Sequence, residues 1–106
     1  RKDEAIALLD EIIANGNNIS ILHALFRKAQ IAEKRNGFEI AEQLYLQIVE
    51  LFPDSYMADA ALMQAAQIEQ NQLKDKESAK THYEKLIDDY PTSIYTAQAK
   101  KNYRKL

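Results

Sequence analysis

Residues 41–62 read AEQLYLQIVELFPDSYMADAAL, and residues 79–100 read AKTHYEKLIDDYPTSIYTAQAK. Laid 38 positions apart, Ala79 falls on Ala41, Tyr83 on Tyr45 and Leu86 on Ile48. Tyr90-Pro91 falls on Phe52-Pro53, Ser93 on Ser55 and Ala99 on Ala61. Each copy reads as a helix with small and aromatic residues on one face, a proline stop, and a second helix. Paired helices repeating at about 34–47 residues stack into a solenoid, because no single unit can bury its apolar face alone.

Working outward, the same spacing of apolar residues every three or four positions predicts six helices. The first covers about 3–15, with Ile6, Leu9, Ile12 and Ile13 on one face, Asp3 as cap and Asn15-Gly16 as a left-handed stop. The second covers 19–35, with Leu25, Ala29 and Ala32 inward, and stops at Asn36-Gly37. The third covers 38–52, and Pro53 ends it by pushing the residue before it out of the α region. Ser55 reads as the cap of a fourth helix over 55–72, rich in alanine. A fifth covers 76–90 and a sixth 93–105. Short connections between six helices give antiparallel neighbours in an all-α fold.

Composition narrows the function. The 106 residues suffice for one domain of about three helix pairs, and 46% are apolar without any run long enough to span a bilayer. The net charge of −2 is too balanced to point to nucleic acid or an anionic membrane, and the absence of cysteine excludes disulfides and thiolate metal sites. Two isolated glycines cannot form a phosphate-cradling loop. His23 and His82 are the only histidines, 59 positions apart and without a metal-ligand pattern around them. His82, on a mostly polar helix face, reads as solvated. Asp10-Glu11 and Asp88-Asp89 are neighbours that diverge by about 100° on a helix, so neither pair suits acid–base catalysis. Asp88-Asp89 stands at a helix C-terminus, where the dipole disfavours anions, and Lys100 or Lys101 is the candidate partner. No catalytic, cofactor or metal role is assigned. The chain opens at Arg1 rather than methionine and reads as a fragment of a longer protein.

Gly37-Phe38-Glu39-Ile40-Ala41, followed by Tyr45, Ile48 and Pro53, resembles the second half of a tetratricopeptide repeat, and Ala79, Tyr83, Leu86 and Pro91 match it again. Ala29 and Ala65 take the small first-helix position. Leu25 and Ala32 depart from the family's tryptophan and tyrosine, Lys76 stands where Phe38 supplies an aromatic, and the first helix matches only through Ala5, Leu9 and Ile12. The resemblance implies a right-handed α-solenoid of antiparallel helix pairs, two and a half to three repeats long. It implies a protein-interaction scaffold, with a structural spacer as the alternative. A solenoid of this kind presents the first helix of each pair on its concave face. Here those helices carry His23, Phe26, Arg27, Gln30, Asp59, Leu62, Met63, Lys100 and Arg104 as candidate contacts to another protein or peptide. Phe26, Leu62 and Met63 would supply apolar surface; Lys100 and Arg104 would either receive acidic groups or simply match the dipole of the last helix. The lysine, asparagine and arginine clamp of chaperone-binding members is not rebuilt. Phe52-Pro53-Asp54-Ser55 and Tyr90-Pro91-Thr92-Ser93 resemble turns in bacterial cell-envelope members, so a periplasmic or outer-membrane-associated location is expected ahead of a cytoplasmic one.

Overall fold

A computed structural model describes residues 2–106, with side chains from Asp3 onward. Six helices follow in order: α1 (Lys2–Asn15), α2 (Asn18–Lys34), α3 (Phe38–Leu51), α4 (Ala58–Asn71), α5 (Lys76–Asp89) and α6 (Thr96–Arg104). Each packs extensively on its neighbours in the chain, α1 on α2 through to α5 on α6, and the body measures 40 × 27 × 18 Å. This is the one-dimensional stacking of a solenoid.

The repeat is visible in the packing. Ala41 and Ala79 are fully buried where the second helix of each pair meets its neighbours, and Ala29, Ala61, Ala65, Ala66 and Ala99 are buried with them. Methyl-sized side chains let these helices come close, and the two tyrosines fill what the alanines leave. A buried phenol needs a partner. The Tyr45 hydroxyl donates to Glu33 Oε1 at 2.8 Å, and the Tyr83 hydroxyl donates to Gln70 Oε1 at 2.6 Å. Burial and the Glu33 carboxylate hold the Tyr45 phenol well above its ordinary value, so it stays a donor.

Helix starts and stops depart from expectation in informative ways. Asn17 caps α2, taking the Ser20 amide at 2.9 Å, and Asp75 caps α5, taking the Ser78 amide at 3.1 Å. The left-handed residues are Asn36, at φ 62°, and Lys74, at φ 56°, again 38 positions apart; neither glycine has positive φ. Gly16 is needed for a different reason: a Cβ there would stand 2.5 Å from the Ile12 carbonyl oxygen. Ser55 does not cap a helix at 55, nor does Ser93 at 93. Each stands between two successive tight turns. Ser55 N–H bonds Phe52 O and Ala58 N–H bonds Ser55 O, with Ser93 to Tyr90 and Thr96 to Ser93 repeating the pattern. These turns delay α4 and α6, which begin three residues later than the serines suggest, and at the second site Ser93 Oγ also takes the Tyr95 amide, a local bond that competes with helix. The Tyr90 hydroxyl donates to the Pro53 carbonyl at 2.6 Å and stitches one turn to the other.

Among the described residues, Lys28 pairs with Asp10 at 2.6 Å and Arg35, the cap of α2, pairs with Asp3 at 3.1 Å, tying α1 to α2. The expected pairing of Asp88-Asp89 with the last helix is not formed; Asp89 pairs with Lys85 one turn earlier on α5, at 3.0 Å.

Candidate interaction groove

A concavity with two phenylalanines in an otherwise largely polar wall lies between α2 and α4, over α3. It holds about 380 Å³ and is walled by Phe26, Arg27, Gln30, Glu33 and Lys34 of α2, Phe38 and Tyr45 of α3, and Gln64 of α4. Positions 26, 30, 33 and 34 share one helix face, spaced by four, three and one. Phe26 and Glu33 follow the buried Leu22 and Ala29 by four residues and so lie at the edge of the buried stripe, while Lys34 stands further round toward solvent.

Phe26 is half-buried and meets Tyr45 edge to face, with ring centroids 5.4 Å apart and planes at 70°. This contact fixes the ring against a wall already locked by the Tyr45–Glu33 bond. Arg27 is exposed, its Nη1 reaching Gln30 Oε1 at 3.5 Å, and Lys34 stands further along the same rim. Glu33 accepts from the tyrosine hydroxyl without losing its formal charge, so two cations, Arg27 and Lys34, against one carboxylate leave the rim formally positive by one. The arrangement offers an aromatic wall and two cations beside it.

Only part of the sequence-derived contact set meets here. Phe26, Arg27 and Gln30 come together as expected. His23 is exposed on α2 but is engaged by the Tyr56 hydroxyl, its ring perpendicular to the tyrosine at 6.0 Å. Leu62 and Met63 are corrected: they are 0% and 3% exposed, buried in the core, and present no surface to a partner. α4 is clasped by α3 on one side and α5 on the other, so its buried surface is wider than one stripe. Asp59 is also displaced from the expected set. Its Oδ2 accepts from Ser93 Oγ at 2.7 Å, and it helps line a separate hollow between the two Pro-containing turns. Lys100 and Arg104 are exposed on α6 and are not among the residues lining the α2–α4 groove.

Five lining residues, Glu33, Lys34, Phe38, Tyr45 and Gln64, were not anticipated. The helical spacing from Phe26 leads to Glu33 and Lys34, whereas Tyr45 reads from the sequence as a packing residue and Phe38 as part of the repeat pattern. In the second repeat the corresponding gap is closed further, because Asn102 of α6 donates to the Tyr83 hydroxyl at 3.2 Å.

His82 also departs from its expected solvated state. It is half-buried, with Nδ1 2.7 Å from Glu69 Oε1, and the Glu69 side chain is fully enclosed. Among the described residues no group of three or more histidine, cysteine or acidic side chains could hold a metal ion. Nor is any helix among them long and apolar enough to cross a membrane.

Compared with known families, the chain matches the tetratricopeptide repeat family twice, over residues 23–55 and 60–93. The two matches take in most of α2 with α3, and then α4 with α5. No curated protein matches the chain in sequence.

Proposed function

We propose that this chain, which belongs to the tetratricopeptide repeat family, is a non-catalytic scaffold that holds a short segment of another protein between α2 and α4. Tetratricopeptide repeats are in general protein-interaction modules. The observation that carries the particular reading is Phe26, half-buried and braced by Tyr45 yet still facing open space, with Arg27 and Lys34 beside it. Its occupant would be a segment with an apolar or aromatic side chain set against Phe26 and Phe38, and an acidic residue next to it. Burial of the apolar part gives about 25 cal/mol per Å², and the cations mainly raise the association rate at low salt. The alternative role, a spacer without a ligand, is favoured by the loss of Leu62 and Met63 to the core, which leaves Phe26 as the one apolar side chain of the expected contact set that lines the groove.

A peptide library displayed against the chain tests the reading. Selected sequences should combine an aromatic or large aliphatic residue with a neighbouring acid. Phe26→Ala should raise their dissociation rate, and the Arg27→Glu, Lys34→Glu pair should lower their association rate and its salt dependence. Peptides that bind both variants like the parent would refute the groove. A cell-envelope location belongs to the same proposal and is supported only by the likeness of the Phe52–Ser55 and Tyr90–Ser93 turns to those of envelope members.

A further inference from the structure

The junction between the two repeats contains a group of side chains that neither the packing nor the groove explains. Glu69 lies on α4 at 0% exposure, among Ala65, Ala66 and Ile68. A carboxyl in such surroundings is costly unless each oxygen is bonded. One oxygen is bonded, to His82 Nδ1 of α5 at 2.7 Å. Its Oε2 is buried without a conventional N–H or O–H donor. The neighbour that reaches the Glu69 carboxyl from α3 is another acid, Glu42. Two carboxyls side by side can bond only if one of them keeps a proton, and that proton supplies the donor that Oε2 lacks.

We propose that Glu42, Glu69 and His82 form a proton-dependent clasp across the repeat junction, tying α3, α4 and α5 together while a proton is shared between the two carboxyls and loosening when it leaves. The surrounding charges fit such a device. From the α4–α5 turn, Asp75 adds a negative charge that favours keeping the proton; its own carboxyl is held below the ordinary value by bonds to Ser78. From α5, His82 acts in the opposite direction on Glu42. Tyr83 faces Glu69 from the same helix, its hydroxyl bonded to Gln70 and Asn102. Glu50 and Lys85 line the shallow groove beside His82. The hydrogen bond to Glu69, then burial and the repulsion of Glu69, push the Glu42 carboxyl up to about 7.

The clasp does not depend on what the groove binds. Because the folded chain holds the Glu42 proton more tightly than the unfolded chain, its contribution is complete below the ordinary carboxyl value. It is lost as the pH rises through about 7.

Two measurements on the whole chain decide the matter. In ¹³C-glutamate-labelled protein, the Glu42 carboxyl should titrate near 7 rather than near 4.5. In thermal melts between pH 5 and 8.5 (a range of about 1.5–2 units on either side of the expected midpoint), the parent should lose stability as pH rises. Glu42→Gln, whose amide donates at every pH, should remove that dependence. A Glu42 carboxyl titrating at the ordinary value, or an equal slope in parent and variant, would overturn the clasp. If Glu42→Gln does not fold, the carboxyl titration of the parent decides alone.

Discussion

Replacing Ala79 by leucine probes the repeat frame at its tightest point. The Ala79 methyl is 0% exposed, and its neighbours one turn on, Tyr83 and two turns on, Leu86, are equally closed off. Leucine adds three heavy atoms where there is no room. Tyr83 cannot swing aside without giving up its bonds to Gln70 and Asn102, at 2.6 and 3.2 Å. The cost of overpacking is therefore about 1–3 kcal/mol. For a domain of this size each kcal/mol lowers the melting temperature by about 4–8 °C. Circular-dichroism melts of the parent, Ala79→Leu and Ala41→Leu should show losses of similar size, since Ala41 holds the same place in the first repeat and is as fully buried. Lys80→Leu, one position along on the exposed face, should leave the melt within about 0.5 kcal/mol of the parent. Melts unchanged by both alanine substitutions would refute the crossing that the 38-residue repeat assigns to them.

Lys74→Asn should raise stability by about 0.5–1 kcal/mol, because asparagine tolerates the left-handed backbone that lysine adopts at φ 56°; denaturant titration reads it, and a loss would mean the lysine side chain contributes something unseen. Hydrogen exchange should show α1 opening more readily than α3 and α4. Among the described residues no α1 side chain is fully buried, whereas α3 and α4 supply much of the core, and equal protection would contradict nearest-neighbour stacking. Tyr45→Phe should cost about 1–3 kcal/mol, leaving Glu33 without the phenol it accepts from, and a neutral outcome in the same titrations would mean the hydroxyl plays no part in bracing the groove.

The fold was legible because its signals are redundant. Ala41 and Ala79, Tyr45 and Tyr83, and the two prolines all say the same thing at one spacing, and the structure buries the alanines and tyrosines as the frame requires. The turns were less legible. Ser55 and Ser93 are good helix caps in general, but here each follows a proline and is drawn into successive tight turns instead. Leu62 and Met63 were misplaced because one helical stripe underestimates the buried face of α4, a helix packed on both sides. Glu69 falls on that same face, four residues after Ala65, and nothing in its local sequence marks a carboxylate there as buried. What makes it tolerable is His82 on a different helix, and no local pattern shows that pairing. The groove was half legible: Phe26, Arg27 and Gln30 follow from the helix face, whereas Phe38, Tyr45 and Gln64 join it only through the packing of α3 and α4.

The groove is tested most directly by mapping amide and side-chain shifts of ¹⁵N-labelled chain as a selected aromatic-acidic peptide is added. The account predicts perturbations gathered at Phe26, Gln30, Lys34, Phe38 and Gln64, the walls of one concavity, and their loss in Phe26→Ala. Shifts confined to the hollow between the Pro53 and Pro91 turns, or to α6, with those five residues unmoved, would contradict it.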